Sequence, residues 1–377
     1  MKFIVSSSAI LKQLSAIEGA VPSNPIVPIL ENFLFELKDG RLRVTASDYQ
    51  ITVSVEMMVE TQEDGSVAVP AKMLTETLKN LPEQPVTFVL DADSFSIEIV
   101  SNTGRYRLAG ENPEDFPVRN DLEDGQKLEL TGEVLSSAIA YTNFAIGNDE
   151  IRQEINGLLL ETVNNAISFV STDKQRLVLY KRYDVSSETE NSLIIPKKTL
   201  AILKRSLSEH LPVNVTFSES HIKFEIENIC IHSVLIEGNF PDYQNVIPSE
   251  STNSNVMRIH RETFIKALKR IGIYANKSTS LVQLKLSSTD GLTLSAEDTD
   301  FANEAHELLA CEYEGDTMDI GFNYRFLLDA LTNTHSDEVT FRLSEPNRAG
   351  LMIPSNRSGN EDVVMLIMPI MLHSYYH

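Results

Sequence analysis

The sequence predicts an α+β protein built from three similar domains, each with two helices packed on antiparallel sheets. Two observations lead there. The phrases "LRVTASD", "SFVSTD" and "LTLSAED" end at Asp48, Asp173 and Asp298, a step of 125 residues both times. Each alternates apolar and polar residues, as a half-buried strand does. Stretches with helical spacing begin near residues 8, 71, 132, 197, 261 and 323, about every 62 residues. The repeat therefore nests: three domains, each made of two copies of one helix plus several strands.

Each element follows in order. A strand and helix open every domain: "MKFIVSSSAILKQLSAI", "LELTGEVLSSAIAYTNFA" and "VMRIHRETFIKALKRIGIYA". The alternating strands that end at the three aspartates come next. A β-type run then gives way to a second helix in "VAVPAKMLTETLKNL", "LIIPKKTLAILKRSL" and "DIGFNYRFLLDALTN". Pro70 and Pro196 suit the first turn of that helix, where no N–H is missed, and Phe322 holds the matching place. A strand follows each: "VTFVL", "VNVTF", "VTFRL". Polar, turn-rich segments near 122–126 and 249–254 divide the chain into 1–122, 123–251 and 252–372, with a short tail at 373–377.

The chain has 377 residues, 42% hydrophobic and 23% charged, enough for folded cores. No opening segment reads as a targeting signal, and no apolar run is long enough to cross a bilayer. Two cysteines, Cys230 and Cys311, without a CxxC partner fit a reducing cytoplasm. The net charge of -22 argues against general attraction to nucleic acid. Its distribution argues otherwise. Over the six helical stretches thirteen basic residues face six acidic ones, a net +7, so the rest of the chain carries -29. In the fifth stretch Phe264, Leu268, Ile271 and Ala275 form one apolar stripe, with Lys266, Lys269, Arg270 and Lys277 mostly away from it. In the fourth, Lys197, Lys198, Lys204 and Arg205 share a face opposite Leu200, Leu203 and Leu207. A lysine face is ordinary on one helix; repeated basic helices suit a polyanion of regular shape, contacted through its phosphates.

No catalytic constellation stands out. Asp48, Asp173 and Asp298 recur once per domain and read as residues that close a turn after a strand. "DTD" at Asp298–Asp300 lacks the glycine and final glutamate of a calcium loop. There is no HExxH, GxSxG, Walker loop or GxGxxG, and no cofactor or metal is expected. The most apolar run is terminal: "VVMLIMPIML", Val363–Leu372. It is either a docked strand or part of a sticky surface, and Pro369 marks where regular pairing stops.

Several phrases, in their order and spacing, resemble one family from Met1 to Leu372. They are the opening "MKF", "PIL" at Pro28–Leu30, "DFP" at Asp115–Pro117, "NG" at Asn156–Gly157, "TDxxRL" at Thr172–Leu177, "FPDY" at Phe240–Tyr243, "GFN" at Gly321–Asn323 and the terminal "MPIML". The chain is similar to the bacterial DNA polymerase III β subunit, the β sliding clamp. That resemblance implies a DNA-clamp fold, with two chains joined head to tail into a ring of six domains. Helices line the hole and duplex DNA threads it without sequence-specific contacts. It implies DNA-facing Lys12, Asn24, Lys72, Lys79, Arg152, Lys197, Lys198, Lys204, Arg205 and Lys266. It implies a dimer interface with Tyr106, Arg107 and Leu108 on an edge strand, meeting Arg270, Ile273 and Tyr274 near the end of the fifth helix, the two arginines pairing with carboxylates across it.

The resemblance also implies a pocket for short linear peptides of the polymerase III catalytic subunit, the clamp loader, other polymerases and repair proteins. Its positions are Ile155, Thr172, Lys174, Gln175, Arg176, Leu177, Pro241, Asn245, Val246, Thr279, Asn323, Phe326, Gly350 and a closing strand of Ile367, Met368, Pro369, Ile370, Met371 and Leu372. The sequence departs from the family at several of them. Lys174-Gln175 stands where Gly-His is frequent, and Asn245 and Met371 stand where arginine is frequent. Asn24 replaces an arginine and Gln153-Glu154 an aromatic pair on the DNA side. The expectation is a cytoplasmic, non-enzymatic, membrane-free processivity factor. The alternatives are a clamp-like acidic scaffold that binds proteins without acting as the replicative ring, a hydrolase with an unrecognised site, and an extracellular β-rich repeat protein.

Overall fold

The computed structural model describes residues 1–117, 122, 125–163, 166–185, 189–249, 251–356 and 359–372. The tail at 373–377 and parts of both expected domain boundaries (123, 124 and 250) lie outside the described residues. The chain forms two compact units, Met1–Ser136 with Ile195–Leu235, and Ser137–Ile194 with Ile236–His377. Six α-helices occur among the described residues: α1 Ser7–Ile17, α2 Ala71–Lys79, α3 Gly132–Thr142, α4 Lys197–Ser206, α5 Arg261–Ile271 and α6 Tyr324–Thr332. None is long and apolar enough to cross a membrane.

The first unit holds two antiparallel sheets. A five-stranded sheet runs in the order Glu60–Glu63, Lys2–Ser6, Pro85–Leu90, Ile97–Val100, Arg105–Leu108. An eight-stranded sheet runs Gln126–Thr131, Pro212–Phe217, His221–Ile226, Ile229–Val234, Ile51–Met58, Arg41–Ser47, Asn32–Lys38, Gly65–Pro70. The second unit repeats the plan. A nine-stranded sheet runs Asn191–Pro196, Gly157–Val163, Ala166–Thr172, Arg176–Arg182, Glu361–Ile367, Gly350–Pro354, Glu338–Leu343, Asn255–His260, Glu312–Glu314. A four-stranded sheet runs Asn303–Leu309, Gly291–Asp298, Leu281–Ser287, Met318–Asn323.

Alternation puts one face of each strand into a core. Phe33, Phe35, Val44, Val53, Val67 and Val69 are fully buried in the first unit, as are Leu284, Leu292, Leu294 and Ile320 in the second. The helices lay their apolar stripes on those faces: Ile10, Leu14 and Ile17 in α1, Leu200 and Leu203 in α4, Phe264, Leu268 and Ile271 in α5. Burying each such side chain contributes about 1.5–3 kcal/mol.

The three repeated aspartates close turns as the repeat suggests. Asp48 Oδ1 accepts from the N–H groups of Gln50 and Ile51 at 2.9 and 2.7 Å. Asp173 Oδ1 accepts from Gln175 and Arg176, both at 3.0 Å. Asp298 Oδ1 accepts from Asp300 at 3.2 Å. The residues after the first two, Tyr49 and Lys174, adopt φ of 71° and 77°, the left-handed region.

Four details of the sequence reading are corrected. Pro70 and Pro196 stay extended, with ψ of 109° and 144°, so each ends a strand and caps its helix instead of opening it. The third cap is Asn323, one residue past Phe322, its Oδ1 accepting from the Arg325 N–H at 3.0 Å. The fifth helix stops at Ile271 with Gly272 as its cap, so Ile273, Tyr274, Ala275 and Lys277 lie beyond it. With these bounds the helices hold twelve bases against four acids, a net +8. The expected closing strand of Ile367–Leu372 ends at Ile367, because Pro369 has no N–H to give. The chain continues irregularly: Met368 N–H donates to the Gln175 carbonyl and Ile370 N–H to the Gly321 carbonyl, both at 2.8 Å.

Candidate functional site

Most of the expected peptide-pocket residues converge in the second unit. Pairing of Arg176–Arg182 with Glu361–Ile367 sets Arg176 opposite Ile367 and Leu177 opposite Leu366. Gly350 pairs with Ile367 on the other side. Leu177, Tyr243, Leu351 and Leu366 share one apolar cluster, with Phe240 and Ile247 packed against it. The loop around Pro241–Val246 is thereby carried to the same corner. A Cβ on Gly321 would meet the Ile370 carbonyl at 2.6 Å and Leu372 Cδ2 at 2.9 Å, so the chain end lies close over that glycine.

Arg176 is the hub. Its Nε donates to Asp173 at 2.9 Å, its Nη1 to Asp329 at 2.7 Å and its Nη2 to the Phe144 carbonyl at 2.7 Å. The guanidinium lies 4.5 Å from the centre of the Phe326 ring and 5.2 Å from that of Phe144. Such stacking on two rings, with the charge matched by two carboxylates, fixes the planar group where a freely mobile cation would wander. Thr172 Oγ1 accepts from the Lys174 N–H at 3.1 Å and donates to the Arg176 carbonyl at 2.8 Å.

Lys174 extends from this turn to Asp149, with which its ammonium pairs. Asp149 is itself pinned, its Oδ1 accepting from Ile151 and Arg152 at 3.0 and 2.9 Å. The ammonium first, and these backbone donors after it, lower the Asp149 carboxyl to about 2. Tyr243 donates to Glu161 at 2.6 Å, and burial pushes its hydroxyl up to about 12.

The pocket residues divide by exposure. Ile155, Leu177 and Ile367 are buried and form a floor. Val246, Met368 and Met371 expose 52%, 40% and 63% of their surface, which makes them the apolar groups that a ligand could cover. Asn245 is exposed and held by Asp242 at 2.6 Å. Thr279 is held by its own loop, its N–H donating to Asn276 Oδ1 at 3.3 Å, and that loop leads into the strand that starts at Leu281. A polar cavity of about 180 Å³ between Leu159, Glu161, Asn239, Asp242 and Gln244 includes only Pro241 of the expected set.

All ten expected DNA-facing residues are exposed. Lys12, Lys72, Lys197, Lys204, Lys266, Arg152 and Arg205 make no ion pair among the described residues, while Lys79 pairs with Glu18 and Lys198 with Asp48. On α4 the bases lie away from the buried Thr199, Leu200, Ile202 and Leu203. Of the expected interface residues, Tyr106, Ile273 and Tyr274 are exposed, but Leu108 is 4% exposed and belongs to the core of its own sheet. The two arginines are engaged within the chain: Arg270 grips Glu307 at 2.7 and 2.6 Å, and Arg107 donates to Ser96 at 3.1 and 2.8 Å. Sequence reasoning missed the strand Asn303–Leu309. Among the described residues it pairs on one side only; exposed Phe301 (69%) precedes it and exposed Leu308 (68%) lies within it.

A nested helix-on-sheet repeat with basic helices, acidic connecting segments and a partly exposed apolar corner defines the DNA-clamp class of proteins. The family descriptions "DNA polymerase III beta subunit" match in three parts: the N-terminal domain at residues 1–120, the central domain at 129–242 and the C-terminal domain at 244–371. The chain belongs to the DNA polymerase III beta subunit family. It is 28% identical over 375 residues to the beta sliding clamps of Vibrio cholerae and Chlamydia muridarum, covering 99% of this chain and 100% of each of those. Among solved structures it is similar to the sliding clamp of Pseudomonas aeruginosa bound to griselimycin, with a TM-score of 0.93 at 26% identity, covering 99% of this chain and 100% of that one. The clamp of Bacillus subtilis shares the fold at 22% identity and a TM-score of 0.93. Members of the family are non-catalytic sliding clamps of DNA replication: dimeric rings that bind DNA and dock polymerases and repair proteins.

Proposed function

We propose that this chain works as a replicative clamp in the cytoplasm, with three domains near 1–122, 123–251 and 252–372, and that specific residues close its ring, face its DNA and dock its partners. The observation that carries the ring closure is a repeated junction. Ile51, three residues after Asp48, pairs with Ser233, which faces Ile222 on its own hairpin. Arg176, three residues after Asp173, pairs with Ile367, which faces Gly350. By count from the third aspartate Phe301, in the turn ahead of the edge strand, matches Ile51, and the Ile97–Leu108 pair puts Leu108 in the role of Ser233. The strands Arg105–Leu108 and Asn303–Leu309 are the unpaired ends of their sheets. Two chains satisfy both edges when Leu108 lies opposite Phe301 of the partner subunit, which also sets Arg105 opposite Glu304 of the partner subunit. Free edges invite such pairing.

The helix corners repeat too. Gly19, just past α1, lies against α4, where an added Cβ would sit 3.3 Å from Ile202. Phe144, just past α3, reaches α6 through Arg176 and Asp329. Ile273 and Tyr274, just past α5, then fall on α2 of the partner subunit, where Met73, Glu76, Thr77, Asn80, Leu81 and Tyr106 line an open groove of about 300 Å³. Lys198 pairs with Asp48, so Lys72, the second residue of α2 as Lys198 is of α4, takes Asp298 of the partner subunit. This reading moves Lys72 from the DNA face to the interface. Lys12, Lys197, Lys204 and Lys266 remain as phosphate contacts, weak enough to slide. The corner with Val246, Met368 and Met371 receives partner peptides; flexible methionines suit varied partners.

The test is retention on DNA. A clamp loaded on a circular plasmid stays bound in high salt and leaves when the circle is cut. Loss from the intact circle in high salt would mark simple electrostatic binding and sink the ring.

A further inference from the structure

The charge around the docking corner is uneven. Arg176 has no charge to spare: it is 11% exposed and matched by Asp173 and Asp329. Lys174 differs. It is 44% exposed, and Asp149 is its one carboxylate partner among the described residues. Asp149 has Oδ1 committed to two backbone N–H groups, so it holds the ammonium at a fixed place. The turn that carries Lys174 touches the chain end directly, through Met368 N–H on the Gln175 carbonyl at 2.8 Å. The turn keeps a lysine at φ 77°, where glycine would be unstrained. An ammonium has three donors and Asp149 takes one, which leaves two without an acceptor among the described residues.

From this arrangement we infer that Lys174 is a specificity-determining residue of the peptide site. It selects linear peptides that carry an aspartate or glutamate beside their apolar anchors. The inference rests on the docking corner proposed above. The anchors cover Val246, Met368 and Met371, and the peptide carboxylate shares the Lys174 ammonium with Asp149. The net charge of the chain is -22, so an added carboxylate weakens a peptide at most positions. Positions that meet Lys174, or the exposed Arg152 beside Asp149, are the exceptions, and Lys174→Met tells the two apart.

The experiment measures fluorescence anisotropy with labelled six-residue peptides. Each holds two leucines and a phenylalanine as anchors, and each remaining position in turn carries aspartate or asparagine. The expected result is one position at which the aspartate peptide binds at least 5-fold more tightly than its asparagine twin. That preference is lost in Lys174→Met, kept in Lys174→Arg, and shrinks as salt rises. Absence of any aspartate preference, or its persistence in Lys174→Met, overturns the inference while leaving the docking corner intact. The corner itself fails differently: the peptides bind the Met368→Ala/Leu372→Ala double variant as tightly as the unaltered chain, or bind neither. In that case the inference falls with it.

Discussion

Lys174 and Asp149 show how a single turn concentrates charge and strain. A lysine in the left-handed region costs about 1 kcal/mol relative to an unstrained backbone. Lys174→Gly and Lys174→Ala both delete the Asp149 pair, so comparing them isolates that cost. The glycine variant is expected to be the more stable of the two, by about 0.5–1 kcal/mol, in thermal or denaturant unfolding. Equal stabilities would mean that the turn opens in solution. Asp149 gives a second check. Its carboxyl is depressed from an ordinary value near 3.8 to about 2. Its contribution to stability is therefore complete above the ordinary value and is lost as pH falls through about 2. Carbon-detected NMR titration should put its midpoint well below 3.8; a midpoint near 3.8 would remove the pinned ion pair. At this scale the sequence spoke where the bonds are local. Asp48, Asp173 and Asp298 were legible as turn closers because their partners are two or three residues away. The partnership of Arg176 with Asp329, 153 residues apart, has no local signature.

Among elements, the helices were legible nearly to the residue, because a 3.6-residue apolar stripe over three turns is a strong signal. The errors lay at their ends. Pro70 and Pro196 fit a first helical turn by composition, yet cross-strand pairing such as Asn32 with Pro70 holds them extended. The edges of sheets were not legible. An edge strand is defined by a neighbour that is missing, and four residues such as Arg105–Leu108 carry too little alternation to say which side chain turns inward. Leu108 turned inward, and Phe301 and Leu308 went unnoticed. The interface prediction belongs here. Phe301→Glu puts a charge opposite Leu108 of the partner subunit and is expected to give monomers by light scattering at micromolar concentration, with circular dichroism unchanged. A dimer of unaltered affinity would refute the register. Met368→Ala with Leu372→Ala should instead leave the dimer intact and weaken docked peptides at least 5-fold, since those side chains lie beyond the last strand.

For the whole molecule the deciding quantity is how charge is divided between helices and the rest of the chain. Twelve bases and four acids on six helices sit in a chain of net charge -22. A tight binder of DNA would carry a basic excess overall; in this chain only the helices as a class carry one, the strands holding fourteen bases against eighteen acids. That suits a ring whose hold is topological and whose helices need only tolerate phosphates. The two roles can be separated. Lys197→Glu with Lys204→Glu reverses two exposed charges on α4 that make no ion pair among the described residues. Each lost phosphate contact lowers the salt slope of binding by about 0.9. Open-ended DNA, where only electrostatics holds the protein, should therefore bind this variant more weakly and with a flatter dependence on salt. Once loaded on a closed circle, the variant should stay as long as the unaltered chain, because escape there requires the strand junctions to open, not the phosphates to let go. Equal binding to open-ended DNA would show that α4 does not face the duplex. Faster loss from the closed circle would show that phosphate contacts, and not closure, hold the protein on DNA.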